Sequence, residues 1–355
     1  MTTVHVVVPD GIDDPARPSG GNVYDRQVAR GLVSVGWIVH EHAVAGNWPQ
    51  PDPTALAALA RIFQRVPDDA VVLIDGLVAS AAPAVLAPVA GRLRLVVLVH
   101  MPLGHRPAPA AVAVTRARER TVLSAAAAVV TTSSWSQRRL RELYALPAGS
   151  VRVAPPAVDA AELATGTPAG ETLLCVAAVT FDKGHDVLLD ALTAMADLSW
   201  RCVCVGSLDR DPAFAERVRR RARDDGLGER VSFPGPLTGA DLGRRYAAAD
   251  LVVLASRAET YGMVIIEALA RGVPVITAEV GGIPEALGHG ADGIRPGLLV
   301  APEDPPALAA ALRAWLTDAE LRRRLRQAAH ARRKTLPSWS NTTAILADVL
   351  VGASG

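Results

Sequence analysis

The sequence predicts an α/β protein built from two doubly wound domains in succession, each with a parallel sheet. Three observations carry this. Short runs such as "VVLI" (71–74) and "LVVL" (251–254) are apolar at every position rather than at every second one. Such strands are buried on both faces, as in a parallel sheet covered by helices. They alternate with longer segments of helical period, and the whole series runs twice, which a chain of 355 residues has the length to do.

The first series places strands at 4–8, 38–42, 71–74, 95–100, 128–131 and 151–153, with helices at 55–65 and 134–143 among them. The second places strands at 173–179, 201–205, 231–233, 251–254, 273–276 and 298–300, with helices at 186–196, 213–225 and 240–248. Between the series lies "PPAVDAAELATGTPAGE" (155–171), rich in Pro, Ala and Gly, as a linker is. The expected domains are therefore 1–160 and 161–337. "ALAAALRAWLTDAELRRRLRQAAHARR" reads as two amphipathic helices, and a short helix within 338–355 is expected to pack back onto the first domain.

Composition narrows the function. Half the residues are hydrophobic, 21% are charged and the formal net charge is +1, so no nucleic-acid footprint is present. No apolar run is long enough to span a bilayer and no leader pattern opens the chain, so a cytoplasmic protein is expected. The three cysteines, Cys175, Cys202 and Cys204, lie in strand-like stretches without Cys-x-x-Cys spacing and read as small buried thiols. Lysine occurs twice only, at Lys183 and Lys334, against 37 Lys and Arg together. Where arginine has replaced lysine so widely, a lysine that stays is a candidate for function.

The segment "AETYGMVIIEALARG" (258–272) concentrates the chemistry. A strand ends near Ser256, a loop follows, and a helix starts at Tyr261 or Gly262 and closes at Gly272. A helix that starts at the carboxyl edge of a parallel sheet offers free amides and a partial positive charge to a phosphate. Glu259 lies in the loop. Glu267 lies in the helix among apolar neighbours, where a carboxylate is costly without a partner. Arg271, four residues on, is one such partner; a ligand is another. Lys183 sits in the loop "FDKGHD" after a strand and reads either as a surface lysine or as a diphosphate partner. "PSGGNVYD" sets Gly20 and Gly21 before a helix start, as a plain turn or as a loop that lets a ligand approach the backbone. It is not G-x-G-x-x-G and does not support nicotinamide binding. His100 ends a strand. "LDRDP" (208–212) contains Asp-x-Asp but reads as a turn, so no metal is expected.

"SRAETYGMVIIEALARGVPVITAEVGGIPEAL" closely resembles the E-x7-E segment of the retaining glycosyltransferase family 4. "PSGGNVYDRQVARGLVSVGW", "VLVHMP", "TTSSWSQRRLRELYALPAGSVRVAPPAVD" and "VAAVTFDKGHDVLLDAL" extend the resemblance over nearly the whole chain. It implies a GT-B fold, two Rossmann-like domains facing a central cleft, and a metal-independent transfer from a UDP- or GDP-sugar. The acceptor would be a hydroxyl of a small molecule, glycan or lipid. It further implies that Glu267 accepts from the nucleotide ribose, that Glu259 contacts the donor sugar and that His100 lies beside the reacting sugar. Lys183 would hold the diphosphate. Catalytic roles thus fall to His100, Lys183 and Glu259. Donor binding falls to Gly20, Gly21, Lys183, Arg257, Thr260, Tyr261, Gly262, Met263, Val264 and Glu267. The family's Gly-Arg pair before the lysine loop is Ala177-Ala178 here. Lys183 must then carry more, or Arg257 must substitute, and a binding-only regulatory protein becomes a rival reading. An epimerase or a phosphorylase on the same fold is another. Arg116, Arg118, Arg120, Arg138, Arg139 and Arg141 leave a peripheral membrane contact or plain solvated helix faces as alternatives.

Overall fold

The structure, a computed structural model, describes residues 2–106, 108–291 and 293–354. The chain divides into two compact units. Unit 1 takes Met1–Asp13, Ser19–Pro156 and Pro337–Gly355; unit 2 takes Asp14–Pro18 and Ala157–Leu336.

In unit 1, strands β1 (Thr3–Pro9), β2 (Ile38–Val44), β3 (Val71–Asp75), β4 (Arg94–Val99), β5 (Ala128–Thr131) and β6 (Val151–Val153) form one parallel sheet in the order β2-β1-β3-β4-β5-β6. Helices α1 (Gly20–Ser34), α2 (Pro53–Arg65), α3 (Gly76–Ala81), α4 (Pro83–Leu86), α5 (Val112–Ala125) and α6 (Ser134–Tyr144) connect them. The sheet separates two cores. One is built on Val7, Leu59, Phe63 and Val97, the other on Val6, Tyr24, Leu32 and Leu98. Residues of β1, β3, β4 and β5 alternate between them, which is why the central strands read as solid apolar runs.

In unit 2, β7 (Thr172–Val176), β8 (Arg201–Val205), β9 (Val231–Gly235), β10 (Leu251–Leu254), β11 (Val275–Ala278) and β12 (Gly297–Val300) form a second parallel sheet, ordered β12-β11-β10-β7-β8-β9. Helices α7 (His185–Thr193), α8 (Pro212–Asp224), α9 (Gly239–Ala247), α10 (Met263–Ala270), α11 (Ile283–Leu287), α12 (Pro305–Thr317) and α13 (Ala319–Arg333) surround it. Trp315 of α12 is fully buried and donates its ring N–H to the Gly170 carbonyl at 2.8 Å, fixing the start of the unit to its last helices.

Side-chain caps set the helix starts: Ser19 for α1, Asp52 for α2, Asp211 for α8, Asp304 for α12 and Asp318 for α13. Asp211 belongs to the Asp-x-Asp of "LDRDP" and is spent on its helix, with Phe214 N donating to it at 3.1 Å.

Several elements differ from the expectations; α7, for one, ends at Thr193 rather than at 196. β7 ends at Val176 rather than at 179, because the chain turns away at Thr180 into a short 3-10 turn. β11 starts at Val275 rather than at 273. Residues 271–273 close α10 instead: Gly272 takes φ +69°, the Val273 amide bonds back to Ala268 at 3.0 Å, and Pro274 has no amide to give. The last helix, α14 (Trp339–Ser354), has 16 residues and is not short. It belongs to unit 1, where it buries Leu346 and Leu350. α1 and α14 touch at Gly31, where a Cβ would fall 2.1 Å from Thr343 Oγ1.

Candidate active site

In an open α/β sheet, ligands bind beyond the carboxyl ends of the strands, where the strand order reverses. In unit 2 that point lies between β7 and β10, which pair directly through Leu173 and Leu251. The loop after β7 is the 3-10 turn Phe181–Lys183, closed by Gly184 at φ +65°. A Cβ on Gly184 would lie 2.0 Å from the Ala255 carbonyl oxygen, so the two loops approach through their backbones. Across that approach the Lys183 ammonium donates to Glu259 Oε1 at 2.5 Å, and Ser256 Oγ donates to the same oxygen at 3.3 Å. Gly262 caps α10 at φ +95°, and Met263 and Val264 occupy its first two positions, where a helix has no internal acceptor for its amides.

Glu259 is also held from behind, by a pair of glycines to which the sequence reading gave no role. Gly282 N donates to the Glu259 carbonyl at 3.2 Å. A Cβ on Gly281 would meet that carbonyl oxygen at 1.6 Å, and one on Gly282 would meet the Thr260 carbonyl oxygen at 2.2 Å. Their signal in the sequence was the pair "GG" of "EVGGIPEAL".

Glu267 finds its protein partner in Tyr246 of α9, whose hydroxyl donates to Oε2 at 2.7 Å. The alternative offered by the sequence, an ion pair with Arg271, is not formed. That guanidinium donates instead to the Glu267 backbone carbonyl at 2.9 Å and lies over the Tyr246 ring, 4.7 Å from its centre. Burial raises the pKa of Glu267, against the opposing pull of the Tyr246 hydroxyl and the Arg271 charge. Tyr246 was missed because "RRYAAAD" shows only an aromatic residue on an amphipathic helix.

Two other expectations need correction. Arg257 is not a free cation able to replace the missing arginine. It grips Asp186 through two bonds of 2.8 and 2.9 Å, Glu303 at 2.8 Å and the Phe181 carbonyl at 2.8 Å, and it stacks on the Phe181 ring at 4.0 Å. The Tyr261 side chain is core, with burial pushing its phenol up to about 12. Ala177 and Ala178 lie against Gly206, where a Cβ would be 1.9 Å from the Ala177 carbonyl oxygen. The Phe181 ring meets Phe214 edge-on at 6.2 Å. Beneath the lysine loop, buried Cys175 lies 3.7 Å from His185 Nε2, and Cys202 lies 4.0 Å from Cys204, none of them in a disulfide.

In unit 1 the order reverses between β1 and β3. Gly20 and Gly21 open α1 there, capped by Ser19 Oγ on Asn22 N at 3.1 Å. His100 follows β4, and its ring packs on the glycine loop: a Cβ on Gly21 would sit 3.2 Å from Cδ2. Its Nε2 meets Asp25 Oδ1 at 2.7 Å and Asp75 Oδ2 at 3.7 Å. Neither aspartate was singled out in the sequence, although Asp75 ends a buried strand at the same edge as His100. Of the arginines weighed for a membrane surface, Arg116 donates to the Gly104 carbonyl at 3.0 Å and Arg139 to His105 at 3.0 Å. Among the described residues no helix is long and apolar enough to cross a membrane.

Two doubly wound parallel units, one with a lysine–glutamate pair at its switch point, define the GT-B class. The comparisons name the family. Residues 2–162 match the model "Glycosyltransferase Family 4", and residues 167–332 match "Glycosyl transferases group 1". The chain belongs to the family 4 glycosyltransferases of GT-B fold. A D-inositol 3-phosphate glycosyltransferase of Jonesia denitrificans is 32% identical over 246 residues, 63% of this chain and 56% of its own length. Its namesake in Stackebrandtia nassauensis is 34% identical over 257 residues, 67% and 56%. The chain thus spans little more than half the length of these curated relatives. In fold it is similar to the sucrose-phosphate synthase of Thermosynechococcus elongatus, with TM-score 0.78, 22% identity and 98% of each chain covered. It is equally similar to Anabaena HepE in complex with UDP-glucose, with TM-score 0.78, 19% identity and 99% and 100% covered.

Proposed function

We propose that the protein transfers a sugar from a nucleoside-diphosphate sugar to an acceptor hydroxyl, with retention at the anomeric carbon and without a metal. The observation that carries this is the Lys183–Glu259 pair at the β7/β10 switch point, beside Gly262 and the open amides of α10. In this reading Glu259 accepts from hydroxyls of the donor sugar. Lys183 and the start of α10, through Met263 and Val264, take the charge that grows on the departing diphosphate. Glu267, steadied by Tyr246, accepts from the ribose diol with the lone pairs that the phenol leaves. Thr260 and Tyr261 contribute backbone. Gly20, Gly21 and His100, at the switch point of unit 1, are read as contacts to the reacting sugar. The bond from the anomeric carbon to the phosphate oxygen breaks, the bond to the acceptor oxygen forms on the same face, and the acceptor proton passes to the leaving diphosphate. No side-chain nucleophile is assigned.

The solved complex of HepE with UDP-glucose supports trying UDP-sugars first, with GDP-sugars next. The name of the curated relatives makes a polyol phosphate the first acceptor to test. The experiment is a thermal-shift screen against UDP-, GDP-, ADP- and TDP-sugars, followed by transfer assays in EDTA. A donor at a hundred times its Kd should stabilise the fold by about 2.7 kcal/mol. No shift with any donor overturns the proposal. The Ala177-Ala178 departure favours one second reading, a donor-binding protein without turnover; sugar transfer by the isolated chain excludes it.

A further inference from the structure

The ring of His100 is held more closely than binding alone requires. On one side Asp25 Oδ1 of α1 stands 2.7 Å from Nε2, and Asp75 Oδ2, at the end of β3, stands 3.7 Å from the same nitrogen. The edge of Tyr24 crosses the ring at 5.2 Å, and Gly21 packs on Cδ2. Both carboxylates are buried, while the histidine side chain keeps 19% of its surface open. Among the described residues no hydrogen bond uses Nδ1. Tyr24, the other titratable neighbour, turns its hydroxyl away to the Ala154 carbonyl at 2.9 Å.

The charges can be assigned from this geometry. One oxygen of each carboxylate and a ring nitrogen lie within 4.8 Å of one another. Two buried carboxylates so close do not both stay ionised. Burial and the Asp25 charge push Asp75 up to about 7, and its Oδ1 caps α3 through Leu77 N at 2.6 Å. Asp25 Oδ2 is buried without a partner, which leaves an acceptor for a proton kept by Asp75. Asp25 then remains as the counter-ion of His100. Burial opposes charge on the ring, but Asp25 and then Asp75 outweigh it and hold His100 up to about 9.

We propose that Asp25, seconded by Asp75, is a positioning residue: it locks the His100 ring and fixes it as an imidazolium. His100 then meets its ligand as a permanent cation and Nδ1–H donor, suited to a phosphate oxygen or a sugar hydroxyl, and not as a base. The part that concerns turnover rests on the transferase reading; the part that concerns charge does not.

The charge is read by nitrogen-15 histidine spectra of the full chain from pH 5 to 10, with His100 assigned from its absence in His100→Gln. At pH 7.5 both ring nitrogens should be of imidazolium type, and Asp25→Asn should lower the midpoint by at least about one unit. A neutral His100 at pH 7.5 in the unaltered protein overturns the proposal without any variant. A change in its resonances when EDTA is added overturns it too, since the ring would then be a metal ligand.

Turnover is the second reading. A histidine of ordinary pKa is about 3% charged at pH 8 and about three-quarters charged at pH 6. Asp25→Asn should therefore lower kcat roughly thirtyfold at pH 8, with the loss nearly gone at pH 6 and the donor KM little changed. A loss that does not depend on pH, or one in KM alone, marks a merely structural aspartate and overturns the proposal. If no donor is turned over by the unaltered protein, the transferase reading fails, and the spectra still decide the charge of His100.

Discussion

Tyr246→Phe removes one hydroxyl, and the structure says what that hydroxyl does. It donates to Glu267 Oε2 at 2.7 Å from a side chain that is itself fully buried. A hydrogen bond to a charged group contributes about 1.5–3 kcal/mol. Glu267 is only half-buried, so solvent screening brings the expected loss down to about 1–2 kcal/mol, at and below the foot of that range. In a unit of this size the melting temperature should fall by roughly 2–8 °C. The loss carries a pH signature. Burial already raises the Glu267 pKa and the phenol opposes that rise, so the variant should push it further up. The stability gap should be widest where Glu267 is ionised, at pH 7–8, and should narrow as acid protonates it. Affinity for the preferred nucleoside diphosphate should fall about three- to tenfold, because one oxygen of the ribose acceptor is no longer oriented. Calorimetric titration beside thermal melts at pH 8 and pH 4.5 measures both effects. Unchanged melting and unchanged affinity at pH 8 would show that the carboxylate does not depend on Tyr246, and the ribose assignment of Glu267 would lose its support.

Lys183→Ala should lower kcat/KM by on the order of a hundredfold or more, as removal of one preorganised charge partner does; a tenfold loss in steady-state assays would mean that another cation carries the diphosphate. Glu259→Gln frees Lys183 from its ion pair, so titration should show tighter binding of the bare nucleoside diphosphate and weaker binding of the sugar nucleotide. Both moving in the same direction would separate the two side chains from those roles. Gly281→Ala should destabilise unit 2 by more than about 2 kcal/mol in chemical denaturation, since φ is +56° and the new methyl overlaps the Glu259 carbonyl. Unit 1 should lose stability as pH rises. The raised Asp75 gives a contribution that fades from about pH 4 to its folded value of about 7, and the raised His100 gives one that fades from about 6.5 to about 9. Melting temperatures that climb between pH 4 and 7 would contradict the Asp75 shift, and a climb between pH 7 and 9 would contradict that of His100.

The central strands were legible because burial on both faces leaves a run without polar interruptions; β2, "IVHEHAV", is a largely exposed edge strand and lacks that mark. Strand ends were less legible. Pro274 and Gly272 together move the start of β11, and only the closing bond from Val273 to Ala268 shows that the helix is still finishing there. In the site, Lys183, Glu259 and Gly262 were legible because loop, charge and glycine coincide at one sheet edge. Tyr246, Asp25 and Asp75 were not. Each acts through a neighbour distant in sequence, and a lone tyrosine on a helix looks the same whether its hydroxyl meets water or a carboxylate. Arg257 misled for the converse reason. It lies beside Glu259 in sequence, but Asp186 and Glu303 claim its guanidinium.

The occupied state of Arg257 changes what the missing Gly-Arg pair means. With Ala177-Ala178 in place of that pair and Arg257 spent on two carboxylates, the cation left beside the β10 loop is Lys183, and it is already bonded to Glu259. Lys183 and Glu259 therefore begin as partners of each other, and in the proposed reading a donor separates them. A nucleoside diphosphate alone would give Lys183 a new partner but leave Glu259 Oε1 to the Ser256 hydroxyl at 3.3 Å, without its charged partner. A sugar nucleotide gives both a partner, hydroxyls for the acid and phosphate oxygens for the ammonium. Whatever exchange costs is then recovered in full only when the sugar is present. On that reading the ion pair favours the complete donor over the spent one.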